Sequence, residues 1–285
     1  MASSTSASGM TDALHRLVRT PQGALGAGAL CVLVMLCLLG PVAAPYDPEA
    51  IDFLGRFAPP SARHWFGGDQ LGRDVLSRLL VGARTTQPLA VLATLAGTTA
   101  GAVIGTHSAN LGGRSDEVMM RTIDAVMAIP GLLLALLIVS TLGKGGGNAA
   151  AAVAIAFVPG MARITRSVAL SVRRQDYVSA AIARGERGTW VVMAEMLPNV
   201  AAPVVVETTI RVAFAVMVFA TLSFLGLGAQ PPAPEWGLMA AEARRFLHQA
   251  PWMMMAPAGA IALTAIGFNL LGDGLRDALN PRDER

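Results

Sequence analysis

Residues 175–199 read QDYVSAAIARGERGTWVVMAEMLPN, a polar, arginine-bearing segment between two apolar stretches. Two short helix-forming pieces meet there at Gly185, and the second is expected to end at Leu197-Pro198. Glycine permits backbone conformations that other residues avoid, which suits a sharp turn at such a junction. The pattern predicts a structured loop that joins two membrane-crossing helices on one side of a membrane.

The flanking stretches belong to a set of six long apolar runs. A transmembrane helix needs about 20 mostly apolar residues. The runs that qualify are residues 23–44, 88–109, 122–142, 149–164, 200–225 and 253–271. Of the 285 residues 53% are hydrophobic and only 14% are charged, whereas a soluble domain carries about 25% charged residues. We predict an all-α, polytopic integral membrane protein with six transmembrane helices.

The first transmembrane helix, predicted at residues 21–44, follows a polar tail at residues 1–20. An uncleaved anchor is favoured over a signal peptide, because the run exceeds the usual core of about 7–15 residues and Pro45 would follow the cleavage site. With the N-terminus inside, 13 Lys and Arg residues fall in cytoplasmic segments and eight in outer ones. Cytoplasmic loops are enriched in these residues, so both termini, including the tail at 276–285, are predicted in the cytoplasm.

Two longer segments are predicted outside. Residues 45–87 are punctuated by proline and then become amphipathic from Gly72 onward. An amphipathic helix at the outer interface is expected there. Residues 226–252 are rich in proline and are predicted as a structured extracytoplasmic loop. Residues 88–275 form the remaining five-helix core, in which residues 171–198 are the cytoplasmic loop.

Small residues follow one face of the second predicted span. Gly97, Gly101 and Gly105 recur every four residues. Such a stripe lets another helix approach closely in a membrane. We therefore expect a neighbouring helix to pack against this face.

No motif for catalysis or nucleotide binding occurs in the sequence. Gly143-Lys144-Gly145 lacks the upstream glycine and the following Ser or Thr of a phosphate-binding loop, and no GxSxG, HExxH or CxxC pattern is present. The four histidines fall in four different segments. The net charge of +3 comes without a basic cluster interleaved with aromatics. We expect no catalytic residue, no metal site and no nucleic-acid partner.

Glu207 and Arg211 are ionisable residues within the fifth predicted span. Residues four apart share one helical face and can pair. Ionisable groups inside a membrane are also candidates for function. Two interpretations stay open, a structural ion pair within the helix bundle and a pair that lines a polar pathway.

Four further segments carry recognisable patterns besides the loop at 175–199. They are HWFGGDQLGRDVLSRL at 64–79, LGGRSDEVMMRTID at 111–124, LSFLGLGAQPPAPEWG at 222–237 and FNLLGDGLRDALNPR at 268–282. All five together, in order and at matching spacing over nearly all of residues 23–282, resemble the second permease subunit of the dipeptide/oligopeptide/nickel class of ABC importers. Each motif alone is weak, and their common register makes the resemblance specific.

The resemblance implies a six-helix permease of the type I ABC-importer fold in a bacterial inner membrane. It implies pairing with a homologous permease subunit, with two ABC ATPase subunits or domains and with an extracytoplasmic substrate-binding protein. Substrates of the family are mostly di- and oligopeptides, with nickel complexes and haem among the relatives. ATP and Mg would be bound by the ATPase subunits, and no cofactor by this chain.

The resemblance further implies that residues 171–198 form the coupling loop that docks into an ATPase subunit. The positions carried over are Tyr177, Ser179, Ala180, Ala181, Gly185, Leu197 and Pro198. Two positions depart from the family pattern, because Ser179 replaces a usual glutamate and Glu195 replaces a frequent histidine. These departures put the detailed contact at Ser179 in question, and the docking role is still expected.

Two other classes of protein compete with this interpretation. A secondary transporter would need membrane-embedded acids at a midplane site and broken helices. Only Glu207 lies well inside a span, and Arg211 can neutralise it. A membrane-embedded enzyme would need a nucleophile–base pair or metal ligands within the spans, and the sequence shows neither. Replacing residues 171–198 would be harmless to a secondary transporter and fatal to an ATP-driven importer.

Overall fold

The computed structural model describes residues 17–279, and helices dominate them. They are α1 Pro21–Ala43, α2 Val75–Leu111, α3 Gly113–Met127, α4 Gly131–Leu142, α5 Gly146–Arg173, α6 Asp176–Ala183, α7 Gly188–Phe224, α8 Trp236–Ala243 and α9 Trp252–Leu279. Within the described residues, β pairing is limited to one antiparallel bridge between Gly68 and Asp74. The predicted all-α class is confirmed.

The two predicted tails fall mostly outside the described residues. Of residues 1–20 only the last four are described, and of residues 276–285 only the first four. Those first four belong to α9, which ends at Leu279. The last transmembrane helix therefore extends past the predicted boundary at residue 275.

Five described helices, α1, α2, α5, α7 and α9, are long and apolar enough to cross a membrane. The third predicted span, at residues 122–142, differs from the prediction, because α3 and α4 meet there at an angle of 87°. Pro130 causes the break, since proline disfavours helical conformation in the preceding residue and lacks an N–H donor. Helix α4 alone is about 18 Å long, shorter than the hydrocarbon core of about 30 Å. The described residues therefore hold five long spanning helices, and a sixth crossing only if the bent pair of α3 and α4 counts as one span.

The chain divides into two compact units. The first unit takes residues up to 92, residues 139–150 and residues from 209 onward. The second takes residues 93–138 and 151–208. Helices α2, α4, α5 and α7 each contribute residues to both units, which are described separately below.

In the second unit, the glycine stripe of α2 packs against α5. A Cβ atom on Gly97 would overlap the carbonyl oxygen of Ala154, and one on Gly105 would overlap that of Ala162. Side chains at these positions would force the helices apart. The close helix contact expected from the glycine spacing is confirmed.

In the first unit, α8 is buried between the beginning of α2 and α9. Trp236 is 1% exposed, and its Nε1 donates a hydrogen bond to the carbonyl oxygen of Leu79 at 2.9 Å. It belongs to an apolar cluster with Val75, Ala83, Met239, Ala243, Ala250 and Met253. The segment predicted as an outer loop at 226–252 therefore contains a buried helix.

The segment at residues 45–87 differs from the predicted amphipathic helix in two ways. Helix α2 begins at Val75 and continues without interruption through Pro88. Its polar residues Ser77 and Arg78 are buried within the protein, at 0% and 1% exposure, so that they do not form an exposed polar face. Asp74 accepts a hydrogen bond from Ser77, and the half-buried Glu242 accepts one from Arg78, which is why polar residues are tolerated on that face.

Candidate functional site

Helix α6 lies within the predicted loop at 171–198, and one of its faces is sealed against its own chain. Val178 and Ala181 have no exposed surface. They pack with residues of α2, α5 and α7, namely Ala109, Ala169, Val172, Val191, Met196 and Val200. Apolar burial contributes about 0.8 kcal/mol per CH₂ group. The cluster therefore fixes α6 to three helices of the second unit.

The opposite face of α6 is open. Tyr177, Ser179 and Ala180 are all exposed. Of the predicted docking pair, only Ala180 belongs to this face. The prediction that Ala181 also contacts a partner is corrected, because successive helical residues are rotated by about 100° and Ala181 points into the apolar cluster.

Gly185 ends α6 in the left-handed region, with φ of +78°. Its N–H donates to the Ile182 carbonyl at 2.9 Å, and the Glu186 N–H donates to the Ala181 carbonyl at 3.3 Å. This pair of bonds is the Schellman motif, which favours glycine at the turning residue. Nothing lies within 4 Å of a Cβ placed on Gly185. The need for glycine is therefore conformational, and the turn lies where the sequence predicts it.

Leu197 and Pro198 lie inside α7. The preceding residues, Val191–Met196, form a π-helical turn, and the N–H of Leu197 bonds to the Val192 carbonyl five residues back. Proline lacks an N–H and clashes with the carbonyl four residues earlier in a regular helix. The wider turn accommodates Pro198 without a break. The prediction that a second short helix ends at Leu197-Pro198 is corrected.

Asn110, at the end of α2, contacts both sides of the segment that connects α5 to α7. Arg173 Nε donates to the Asn110 carbonyl at 3.0 Å. Asn110 Nδ2 donates to the Gly188 carbonyl at 3.3 Å. The end of α5 and the beginning of α7 are thus tied to α2. Sequence analysis missed this role, because no local pattern relates Asn110 to partners more than 60 residues away.

Glu195 acts on Tyr177 across the loop. Burial and the negative charge of Glu195 raise the pKa of Tyr177 above its ordinary value. The phenol therefore stays neutral at physiological pH and can donate a hydrogen bond. Glu195, one of the two departures from the family pattern, lies close enough to act on the predicted docking face.

Two ion pairs hold α3 against α5. Arg166 Nε donates to Asp116 Oδ1 at 2.6 Å, and Ser108 Oγ donates to the same oxygen at 2.6 Å. A second pair joins Arg163 and Asp124. The first is largely enclosed, since Asp116 is 8% exposed, and it fixes α3, the amphipathic half of the bent pair.

Glu207 and Arg211 lie four residues apart in α7, and both are half-buried. Spacing and burial are compatible with both interpretations. Their pairing stays a prediction.

The first unit contains a buried charge network that sequence analysis took for a polar surface. Arg73 donates to Asp69 at 2.6 Å and to Glu242 at 3.0 Å. Arg78 donates to the same Glu242 oxygen at 3.2 Å. The two arginines are 3% and 1% exposed. The network joins the beginning of α2 to the end of α8, and helical periodicity alone cannot reveal a partner so distant in the chain.

Glu235 holds the other end of α8. It is fully buried and caps the helix by accepting from the N–H groups of Gly237 and Leu238 at 2.9 and 2.8 Å. It also accepts from Thr86 Oγ1 at 3.1 Å. Burial is the main cause that raises the pKa of Glu235 above its ordinary value, against the lowering effect of these hydrogen bonds.

Two protein families match the sequence. One, described as binding-protein-dependent transport system inner membrane component, matches residues 97–284. The other, described as the N-terminal TM domain of oligopeptide transport permease C, matches residues 8–60. Together they account for most of the chain.

Similar proteins include three named permeases. The probable D,D-dipeptide transport system permease protein DdpC of Escherichia coli (strain K12) is 38% identical over 263 residues, which cover 92% of this chain and 88% of the relative. The dipeptide transport system permease protein DppC of Alkalihalophilus pseudofirmus is 35% identical over 98% of this chain and 91% of its own. The glutathione transport system permease protein GsiD of Escherichia coli O157:H7 is 41% identical over 88% of this chain and 83% of its own.

Proposed function

This chain belongs to the family of binding-protein-dependent transport system inner-membrane components, and we propose that it forms half of the membrane pathway of an ATP-driven importer of di- or oligopeptides. As a member of that family it is a multi-pass inner-membrane permease subunit of an ABC transporter. The substrate class rests on the relatives, whose names specify dipeptides and glutathione. Nickel complexes and haem are the alternative cargoes.

The partners follow from the same proposal. A homologous permease supplies the other half of the pathway, and an extracytoplasmic binding protein delivers the peptide. Two ATPase subunits or domains bind ATP and Mg and carry out hydrolysis, so this chain performs no covalent chemistry. Both termini lie in the cytoplasm, on the same side as residues 171–198.

The observation that carries the proposal is the two-faced helix α6. An ATPase subunit would bind its open face, around Tyr177 and Ala180. The sealed face, around Val178 and Ala181, packs against α2, α5 and α7. A push on the open face is therefore transmitted to three helices together, because packed interfaces move as rigid elements and do not deform continuously. Closure of the ATPases would then tilt these helices, so that the pathway opens to the two sides of the membrane in turn.

Site-specific cross-linking tests the proposal. A single cysteine replaces Ala180 in a background that carries Cys31→Ser and Cys37→Ser. The complex is purified with its ATPase subunits and treated with a short bifunctional thiol reagent. We expect Ala180→Cys to cross-link to an ATPase subunit, and nucleotide to change the yield.

Ser61→Cys is the matched control, because Ser61 is exposed in the segment assigned to the opposite side of the membrane. It should give no ATPase adduct. Equal cross-linking at both positions, or an adduct at Ser61 alone, contradicts the assignment of α6 as the docking helix.

A further inference from the structure

A cavity of about 450 Å³ opens in the first unit, at the end of α8. Its walls include Gln70, Phe224, Glu242, Arg244 and Arg245. Small-molecule sites typically measure about 300–1,000 Å³, so the cavity is large enough for part of a short peptide. In the proposed orientation it lies on the extracytoplasmic side, where a binding protein would release its cargo.

The charges around this cavity are unequal. Glu242 is the acidic residue among the cavity walls, and it already accepts hydrogen bonds from Arg73 and Arg78. Asp69 also accepts from Arg73. The negative charges of Glu242 and Asp69 therefore offset the positive charges of these two arginines. Among the described residues, no carboxylate on the cavity wall is left to pair with Arg244 and Arg245, and both arginines are exposed.

Phe224 and Gln70 give the cavity an aromatic wall and a polar wall. The guanidinium carbon of Arg244 lies 5.3 Å from the centroid of the Phe224 ring, a cation–π distance that orients the side chain. Gln70 adds a polar side chain to the cavity wall.

We propose that this cavity binds the free carboxylate of a short peptide as the peptide passes from the binding protein to the membrane pathway. This proposal rests on the proposed function, and we call the cavity a transfer subsite. Arg244 and Arg245 hold the carboxylate, since guanidinium groups match the planar geometry of a carboxylate with paired hydrogen bonds. The subunit thereby discriminates free peptides from C-terminally blocked ones, independently of the binding protein.

Direct binding to the assembled transporter tests this subsite. The complex of both permeases and the ATPase subunits is placed in nanodiscs without binding protein. Saturation-transfer difference NMR then measures the binding of trialanine and of trialanine C-terminal amide. We expect the free acid to bind about tenfold more tightly than the amide, as for loss of one charge-assisted contact.

The variants separate this subsite from other causes. The double variant R244Q/R245Q should bind the free acid as weakly as the amide. R63Q is the matched control, because Arg63 is an exposed arginine of the same unit that does not line the cavity, and it should keep the difference. Recovery of the double variant with both permeases and both ATPases confirms its assembly.

Three outcomes overturn the subsite. Equal binding of acid and amide to the wild-type complex removes the carboxylate preference. If R244Q/R245Q still binds the free acid more tightly than the amide, the preference comes from other residues. If R244Q/R245Q keeps the acid–amide difference and also needs more binding protein than wild type for half-maximal ATPase stimulation, the two arginines are a docking surface for the binding protein. Failure of the proposed function would appear separately, as absence of ATP hydrolysis stimulated by binding protein in the same wild-type preparation.

Discussion

Ala180 and Ala181 are neighbours in α6 and lie on different faces of it, with Ala180 exposed and Ala181 completely buried. The pair looks like one small-residue patch in the sequence. In the structure one alanine contributes to the open face and the other to the apolar cluster with Ala109 and Ala169.

The two alanines should respond differently to the same substitution. Ala181→Leu overpacks the cluster and should cost about 1–3 kcal/mol of local stability. Ala180→Leu points outward and should leave folding intact while reducing transport-coupled ATP hydrolysis. Hydrogen exchange of residues 176–183 and ATPase stimulation measure the two effects. Faster exchange in Ala180→Leu than in Ala181→Leu would contradict the assignment of faces.

Gly185→Val should uncouple ATP hydrolysis from transport. The left-handed conformation at Gly185 costs a non-glycine residue about 1–2 kcal/mol, which is enough to reorganise the Schellman turn and too little to prevent membrane insertion. We expect near-normal abundance, measured by immunoblot, together with low transport per ATP hydrolysed.

Gly185→Asn is the matched control, because asparagine tolerates the left-handed region better than a β-branched residue. It should retain most of the coupling. Transport at the wild-type rate by Gly185→Val would contradict the role of this loop in coupling ATP hydrolysis to transport. Failure of the variant to accumulate would contradict it as well.

Arg166→Ala should destabilise the second unit more than Arg121→Ala. Removing Arg166 leaves the enclosed Asp116 carboxylate without its main partner, which costs about 1–3 kcal/mol or more. Arg121 pairs with Glu117 on the surface, where the side chains are 77% and 58% exposed, and such pairs contribute about 0–1 kcal/mol. Thermal unfolding of the purified complexes compares the variants. Equal melting temperatures would show that Asp116 does not need its pair.

Glu235 should make the stability of the first unit depend on pH. Its pKa is raised in the folded protein, so the folded state binds more protons than the unfolded state, and stability falls as pH rises from the ordinary value of 4.5 through the raised one. Glu235→Gln keeps an acceptor for the helix cap and should abolish this slope.

Hydrogen exchange in α8, followed from pH 4.5 upward in wild type and Glu235→Gln, measures the effect. Glu242→Gln is not a suitable control, because it breaks the buried network with Arg73 and Arg78. Glu49→Gln serves instead, since Glu49 is exposed in the same unit. A slope that persists unchanged in Glu235→Gln assigns the titration to another group.

The proposed orientation places the turn before α5 and the loop after α6 on opposite sides of the membrane. Reporter fusions at Gly146 and Arg187 should therefore give opposite signals, with the Arg187 fusion cytoplasmic. The two positions bracket α5, a helix of 28 residues that is long enough to cross. Identical signals from both fusions would refute the topology.

The amino-acid sequence alone determined the all-α class, the five long apolar helices and the turn at Gly185. A lipid-facing segment must be apolar over about 20 residues, so hydropathy registers each crossing without knowledge of its neighbours. Gly185 was recognisable for a similar reason, because a left-handed turn is a local requirement of the backbone.

Tertiary structure alone decided which side chain meets which. Ala181 is buried by residues of α2 and α5, Arg78 is buried because Glu242 accepts its hydrogen bond, and α7 passes Pro198 through a π-helical turn. Burial and ion pairing depend on partners that are distant in the chain, whereas hydropathy reports only the average environment of a segment. The cavity beside Arg244 and Arg245 follows the same rule, since residues from three separate segments form its walls.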